Sequence, residues 1–222
     1  MISRLIRYVI SFVIPIRVTK TSSSYHNYLE VVYSQGRLML NTRKANYSFG
    51  GLHRVFQIAF KHINYKDIEA EHILILGFGV GSVASIIQDE YGKTNTSITG
   101  VELDPVIVEL GKTYFNTDRF RQTDIICSDA HDFVNRTDER FDLIVVDLYE
   151  EVNVPEKFET SQFLIRLKDM LSANGQIGFN KVAHTKFHYK QFELLYQRMN
   201  EIYKSVTVIE ALGMNRVLIA KN

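Results

Sequence analysis

A glycine-rich stretch, Gly77-Phe78-Gly79-Val80-Gly81, follows a short apolar run and precedes a helical pattern. Glycine has no Cβ, so such a stretch can turn sharply and let a ligand approach its backbone closely. The first turn of the following helix also offers N–H groups that have no intrahelical partner. A simple strand-to-helix turn would show the same pattern, but the position directly after the first strand of an α/β segment favours ligand binding.

Glu102 ends the next apolar run, about 20 residues beyond the glycines. A carboxylate at this place can accept hydrogen bonds from the two vicinal hydroxyls of a ribose. The neighbouring Asp104 precedes Pro105, so it is explained as a helix N-cap followed by proline at the first helical position. Glu102 has no comparable structural role, and we therefore predict that it is the ligand residue.

Asp129 closes a third apolar run, in Ser128-Asp129-Ala130. Two interpretations stay open for this carboxylate. It could be a helix N-cap and nothing more. Alternatively, it could accept a hydrogen bond from an adenine amino group, because a nucleoside held by Glu102 would bring that edge of the base close to this turn.

Asp147 ends a fourth run, and Tyr149, Glu150 and Glu151 follow it. A carboxylate at the carboxyl edge of a strand, beside a second acid, can act as a general base or bind an amine. Like charges in proximity would raise the pKa of one of the acids. A solvated acidic loop is the alternative.

The elements that must position these residues follow from an alternation of apolar runs and helical patterns. The runs are HILIL at 72–76, TSITGV at 96–101, DIIC at 124–127, FDLIVVD at 141–147 and GQIGFN at 175–180. Helical spacing occurs at 52–63, 81–90, 105–116, 130–136, 159–172 and 187–203. This alternation predicts a doubly wound, mostly parallel α/β sheet. Two last runs, at 205–211 and 215–220, predict a C-terminal antiparallel hairpin.

The region before residue 49 has a different pattern. Residues 25–40 alternate between apolar and polar side chains, and Gln35-Gly36 can form a hairpin turn, which predicts a small antiparallel β unit. We therefore divide the chain into an N-terminal segment with this β unit at 1–48 and an α/β domain at 49–222. Because an isolated hairpin is marginally stable, we expect the unit to pack against a second copy in a homodimer.

The composition of the chain indicates which partners and which cellular compartment to expect. Hydrophobic residues make up 45% and charged residues 23% of the chain, and the net charge is +1, so nothing global points to nucleic acid or to an anionic membrane. The single cysteine, Cys127, fits a reducing compartment, and we expect a cytoplasmic protein. The apolar stretch at 8–16 is too short to span a bilayer. We expect it to pack on the body or on a second subunit, with export or membrane-surface association as the alternative.

Histidines do not predict a metal site. His184 and His188 lie four residues apart and could share one face of a helix, but the sequence shows no third ligand for them. We therefore predict no bound metal.

At these places the chain resembles the spermidine synthase (polyamine aminopropyltransferase) family, over roughly residues 24–182. The resemblance implies a Rossmann-like methyltransferase fold of seven strands, and S-adenosylmethionine or its decarboxylated form as co-substrate. It assigns the binding of this co-substrate to the glycine motif, a ribose segment and an adenine pair, namely Gly77, Phe78, Gly79, Gly81, Glu102, Leu103, Asp129 and Ala130. Asp147 matches the family's catalytic aspartate, which deprotonates the attacking amine.

Several positions depart from the family pattern. Val80 stands where the family has an aspartate that holds the aminopropyl amine, and we expect the pocket around Val80 to decide which group is transferred. Glu150 stands for a second acid, and Glu151 replaces a proline. Leu52-His53-Arg54 replaces a tyrosine–x–glutamate, and we expect Arg54 to repel a diamine. The pattern resembles a divergent branch of the family, in which we assign substrate contacts to Asn46, Tyr149, Glu150 and Asn180.

These residues predict a transferase that moves a methyl or aminopropyl group from the nucleoside to a small nucleophile, such as an amine. The departures motivate an alternative, a non-catalytic nucleoside-binding or assembly protein that retains the scaffold. A dinucleotide oxidoreductase is a weaker alternative, because the chain is short for one and a terminal antiparallel hairpin is not expected in it.

Overall fold

The computed structural model describes residues 8–43, 46–150 and 153–222, with only the backbone of Asn46. The N-terminal strands are β1 (Ile16–Thr21), β2 (Leu29–Ser34), β3 (Arg37–Thr42) and β4 (Asn46–Ser48). The later strands are β5 (His72–Leu76), β6 (Ser97–Glu102), β7 (Thr123–Cys127), β8 (Phe141–Val146), β9 (Leu171–Val182), β10 (Ser205–Ala211) and β11 (Asn215–Lys221). The helices are α1 (Gly51–His62), α2 (Ser82–Ser85), α3 (Pro105–Phe115), α4 (Ala130–Arg136), α5 (Ser161–Asp169) and α6 (Lys186–Ile202).

The central sheet has seven strands among the described residues, in the order β10-β11-β9-β8-β5-β6-β7. Strands β7, β6, β5, β8 and β9 run parallel, and β11 pairs antiparallel with both β9 and β10. The predicted doubly wound sheet with a C-terminal antiparallel hairpin is confirmed. Strand β5 lies between β6 and β8, so the chain order reverses there. In sheets of this kind a ligand crevice lies outside the carboxyl ends of the strands at the reversal.

Helices cover both faces of this sheet, which explains why its strands are continuous apolar runs. On β5, Leu74 and Leu76 belong to one hydrophobic cluster, with side chains of α4, α5 and α6. Ile73 and Ile75 point the other way, into a cluster with α1, α2 and the π-helical turn that continues α2. All four side chains are fully buried.

Element boundaries differ from the prediction mainly around α5. The sequence predicted a helix over 159–172 and a strand over 175–180, whereas α5 ends at Asp169 and β9 already begins at Leu171. The apolar side chains of Met170 and Leu171 fit a helical pattern, but both are buried against the sheet as the chain turns into β9. A local spacing pattern therefore does not locate this turn.

The N-terminal strands form a second, four-stranded sheet within the described ranges, in the order β1-β2-β3-β4. Gln35 and Gly36 connect β2 and β3 with positive φ values of 50° and 75°, the geometry of a tight hairpin turn. Strand β1 was not anticipated, because it alternates only between exposed and half-buried side chains. Before it, residues 8–10 form a helical turn, and Ser11 hydrogen-bonds through its carbonyl and hydroxyl oxygens to the Gln35 and Gly36 N–H groups.

One face of this small sheet packs on the chain's own α/β domain. Leu29, Val31 and Leu40 form a buried cluster with Val80 and with Ile107 of α3. The sequence led us to expect a second copy against the β unit, but this face is covered by the same chain. The hydrophobic core therefore crosses the boundary proposed at residue 48. No helix in the described part of the chain is both long and apolar enough to cross a membrane.

Candidate active site

The glycine turn after β5 is fixed against the end of β8. Gly77 has a φ of 86°, and a Cβ at this position would lie 2.2 Å from the carbonyl oxygen of Asp147. No side chain fits there, and a left-handed φ is strained for other residues. Glycine at position 77 therefore brings the turn and the strand end that carries Asp147 into direct contact.

Glu102 is aimed at the same turn from the end of β6. Its carboxylate accepts hydrogen bonds from the Gly79 N–H at 2.8 Å and from the Asp104 N–H at 3.1 Å. The residue is 3% exposed, and burial raises the pKa of Glu102, although these N–H donors act in the opposite direction. Because a carboxylate has about four acceptor sites, it can accept further hydrogen bonds from a ligand.

A cavity of about 310 Å³ opens at the carboxyl ends of the strands. Its wall includes Gly77, Glu102 and Leu103, then Asp129 and Ala130. The acids that the sequence singled out at the ends of β6 and β7 thus surround one space, together with the glycine turn. We call this space the first cavity.

The N-terminal sheet closes one side of the first cavity, through Tyr25, His26 and Tyr47. Asp104 holds this sheet in place, because its carboxylate accepts hydrogen bonds from the Ser23 hydroxyl and lies 3.0 Å from His26 Nδ1. Asp104 also caps α3 by accepting from the Val106 N–H, as the sequence predicted. Burial, followed by the negative charge of Glu102, raises the pKa of Tyr47 well above its usual value, so the Tyr47 hydroxyl stays protonated.

Asp129 has both of the features considered for it, an N-cap bond and a place on the cavity wall. One carboxylate oxygen accepts from the His131 N–H at 2.8 Å, and the other lies 2.5 Å from Lys157 Nζ. Burial is the largest single effect and opposes ionisation of Asp129, but the hydrogen bond and charge of Lys157, together with backbone N–H donors, outweigh it and hold the pKa of Asp129 below its usual value. Lys157 also lines the first cavity. No sequence signal marks this lysine, because it lies in a short 3₁₀ turn, Glu156–Phe158, far along the chain.

Asp147 is held by a chain of amides. Asn180 donates to the Asp147 carboxylate at 2.9 Å and accepts from the Asn215 amide at 3.0 Å. Burial raises the pKa of Asp147 to about 6, against the effect of the Asn180 hydrogen bond, and the charge of Glu102 adds to the increase. The sequence predicted a raised pKa from a neighbouring acid, but desolvation is the larger cause. A carboxyl group with this pKa is ionised at neutral pH and can accept a proton.

A second cavity, of about 420 Å³, lies on the other side of Asp147. The two cavities share four wall residues, Tyr47, Gly77, Asp147 and Tyr149. The second cavity continues to the start of α1 and to the turn between β10 and β11, where Leu212 and Met214 lie. Asp147 therefore stands where the two spaces meet, which is the geometry that a base between two bound molecules requires.

The remaining residues of the predicted donor set have other positions. Phe78 and Gly79 line the second cavity. Among the described wall residues of both cavities, Gly81 does not occur. Its φ is 91°, and a Cβ on it would lie 2.6 Å from the Phe120 ring, so glycine at 81 allows α2 to start close to that ring.

The predicted substrate contacts are also redistributed. Glu150 is exposed and lines the first cavity rather than the second. Asn180 is fully buried and touches the Asp147 carboxylate, so it positions that group. Tyr149 lines both cavities. The side chain of Asn46 lies outside what the structure describes.

Two expectations drawn from the departures do not fit the geometry. Val80 is fully buried among Leu29, Val31 and Ile107, and it is absent from the described walls of both cavities. Arg54 is exposed on α1, and the described residue of that triplet that reaches the second cavity is Leu52. Val80 therefore has no contact with either space through which it could decide which group is transferred, and Arg54 is not the group that would repel a diamine.

His184 and His188 face each other, with 3.1 Å between their Nδ1 atoms. His188 also lies within hydrogen-bonding distance of the Thr185 hydroxyl and the Asn153 amide oxygen. Over the described ranges, the histidines, cysteine and acids form no group of three that could hold a metal ion.

Comparisons with known proteins find polyamine aminopropyltransferases and spermidine synthases among the proteins that this chain resembles. A polyamine aminopropyltransferase from Vibrio vulnificus is 30% identical over 139 residues, which is 61% of this chain and 43% of that protein. The chain spans about half the length of the curated relatives it matches, or less. A crystal structure of spermidine synthase with the transition state analogue AdoDATO superposes with a TM-score of 0.74 at 14% identity, covering 93% of this chain and 73% of the other.

The fold is shared more widely. Human methyltransferase-like protein 13, crystallised with SAH, superposes with a TM-score of 0.60 at 20% identity, covering 77% of this chain and 78% of the other. The sequence profile of the spermine/spermidine synthase domain matches residues 56–212, well over half of the chain. This match spans the glycine turn, Glu102, Asp129 and Asp147, and it places the chain in the spermine/spermidine synthase domain family.

Proposed function

We propose that this protein is a transferase that binds an S-adenosylmethionine-type nucleoside in the first cavity and a small nucleophile in the second. The position of Asp147 at the junction of the two cavities carries this proposal. The sulfonium of the nucleoside supplies an electrophilic carbon next to sulfur. Asp147, with its pKa of about 6, takes the proton that the nucleophile releases.

The wall of the first cavity fits a nucleoside of this kind. Glu102 presents a buried carboxylate to vicinal ribose hydroxyls, and Asp129 can accept from an adenine amino group. Gly77 lies on this wall, and Gly79, on the wall of the second cavity, donates its N–H to the Glu102 carboxylate, so the glycine turn brings backbone rather than side chains next to the ligand. The names of the relatives support both methyl and aminopropyl transfer.

Charge favours the decarboxylated nucleoside over S-adenosylmethionine itself. The tail of a nucleoside held in the first cavity would pass Asp147 towards the second cavity, whose described wall has no lysine or arginine to pair with the α-carboxylate of S-adenosylmethionine. Lys157, on the wall of the first cavity, is already paired with Asp129. A carboxylate placed next to Asp147 would instead lie beside a like charge. Aminopropyl transfer is therefore the reaction that we favour.

Calorimetric titration with the two nucleosides tests the proposal. We expect the decarboxylated nucleoside to bind at least tenfold more tightly than S-adenosylmethionine, and Glu102→Gln to weaken both. The amide oxygen introduced by Glu102→Gln can still accept the Gly79 hydrogen bond, so the fold is retained. Glu109→Gln, on the exposed face of α3, is the matched control and should bind as the wild type does. Absence of binding to well-folded protein would refute the proposal.

One observation favours a second candidate, a non-catalytic nucleoside-binding or assembly protein. Lys157 already occupies one oxygen of Asp129, the acid that we assign to adenine. This candidate predicts nucleoside binding without turnover. Asp147→Asn separates the two, because loss of product formation on this substitution requires catalysis, whereas absence of product with both forms favours the second candidate.

The proposal includes a homodimer in the cytoplasm. Exposed apolar side chains of the N-terminal segment, Val9, Val13 and Ile14, support an interface there, and the single cysteine supports a reducing compartment. Sedimentation equilibrium, with Val13→Asp as the variant, tests the dimer. A monomer at micromolar concentration would contradict it.

A further inference from the structure

The second cavity has few charged groups for its size. Asp147 is the one acidic residue among the described residues of its wall. Much of the remaining wall is apolar and includes Leu52, Phe78, Leu212 and Met214. Such a wall can cover an apolar body, but it offers a single site for a cation.

None of the other polar side chains on the described wall is a carboxylate. They are the hydroxyls of Tyr47, Ser48, Ser82 and Tyr149, the imidazole of His184 and the amide of Asn215. The Ser82 hydroxyl accepts from the Phe49 N–H at 2.8 Å and lies 3.0 Å from the Ser48 hydroxyl. Glu150, the acid that the sequence placed beside the acceptor, lines the first cavity and is exposed to solvent. No second carboxylate in the described part of the wall is therefore available for a second ammonium group.

A diamine in this space would leave one ammonium without a partner. Burying an unpaired charge is strongly unfavourable, whereas burying methylene or methyl groups is favourable. In this cavity, one ammonium group of a diamine can pair with Asp147, and the other has no carboxylate partner among the described wall residues.

We propose that the second cavity accepts a nucleophile with an apolar body and at most one ammonium group, rather than a diamine. This inference rests on the proposed function, since it names the acceptor class for the same site. It departs from the polyamine substrates that the names of the curated relatives suggest. The discriminating surface is the β10–β11 turn, where Leu212 and Met214 are 41% and 52% exposed.

Two ligands of equal size test the proposal. Pentylamine and butane-1,4-diamine have the same number of non-hydrogen atoms and differ in a terminal methyl against a second ammonium group. Each is titrated into the protein, with and without saturating 5′-methylthioadenosine. We expect pentylamine to bind at least tenfold more tightly than the diamine. Equal binding, tighter binding of the diamine or no binding of either amine would overturn the proposal.

A carboxylate added to the wall should reverse the preference. Leu212→Glu lies on an exposed turn, so the change is tolerated by the fold, and it should move the affinity ratio at least tenfold towards the diamine. Ile165→Glu, at an α5 side chain that is 47% exposed, adds the same charge outside both cavities and should leave the ratio unchanged. An unchanged ratio in Leu212→Glu would count against the proposal.

The result is distinguishable from failure of the proposed function. If the nucleosides do not bind but the amine ratio and its response to Leu212→Glu hold, the transferase assignment fails and the acceptor class stands. If the nucleosides bind and the diamine is preferred, the transferase assignment stands and the proposed acceptor class fails.

Discussion

Replacing Asp147 with asparagine should remove a pH-dependent penalty from the folded state. Burial raises the pKa of Asp147 from 3.8 to about 6. With about 1.4 kcal/mol for each tenfold change in proton affinity, the ionised carboxylate lowers the free energy of unfolding by up to about 3 kcal/mol at pH 8. Because the pKa is raised, the stability associated with the protonated group is complete below about pH 4 and is lost as the pH rises through 6.

An asparagine side chain at position 147 would keep the geometry without the charge, since its carbonyl oxygen can still accept from Asn180. We therefore expect Asp147→Asn to be more stable than the wild type at pH 8, by up to about 3 kcal/mol. At pH 5 part of the wild-type group is protonated, and the advantage should shrink by about 1.4 kcal/mol.

Urea denaturation at pH 5 and pH 8, followed by circular dichroism, measures this difference. Asp142→Asn is the control with the opposite sign. Hydrogen bonds from Ser172 and from backbone N–H groups outweigh burial and hold the pKa of Asp142 below its usual value. Its contribution is therefore complete at both pH values, and its loss should destabilise the protein equally at each. A difference between Asp147→Asn and wild type that does not change with pH would refute the reasoning.

Three further predictions concern the same site. If Asp147 is the base, kcat/KM for the amine should rise with pH around an apparent pKa near 6. Asp147→Asn should lower kcat by about 10²- to 10⁴-fold in a product assay. A rate independent of pH between 5 and 8 would contradict this role. Asn180→Leu removes the hydrogen bond that opposes the raised pKa, so the midpoint of that pH profile should move upward, whereas a merely structural role would change only the amplitude. Gly77→Ala should destabilise the protein by more than about 2 kcal/mol in thermal denaturation, because the added Cβ would meet the Asp147 carbonyl. Gly92 also has a positive φ, of 70°, but open space surrounds it, so Gly92→Ala should be clearly milder. Equal effects of the two substitutions would show that the contact is unimportant.

The central sheet was predictable because a strand that is covered on both faces appears in the sequence as a continuous apolar run. The run from His72 to Leu76 is apolar after its first residue, and the structure places the side chains of 73–76 alternately in two clusters. The acids at strand ends were predictable for a related reason. Parallel strands end at one edge of the sheet, so polar residues directly after buried runs must meet there.

The second cavity could not be predicted, because its wall joins residues that are far apart in sequence. Leu52 of α1 and Leu212 of the β10–β11 turn face the same space. No local pattern reports this proximity. The exposure of Arg54, by contrast, follows from the helical spacing of the apolar residues at 52–63, which places position 54 off the apolar face of α1.

The contact between Gly77 and the Asp147 carbonyl separates this fold into parts that can and cannot vary. Because the glycine turn lies against the strand end that carries Asp147, neither can shift without the other, and the turn and the proposed base form one rigid unit. The turn that carries Leu212 and Met214 is under no such constraint, since it is a solvent-facing hairpin end. Under the proposed function, evolution or laboratory selection could therefore change the acceptor by mutating a few positions on this turn, while the residues around Asp147 stay the same.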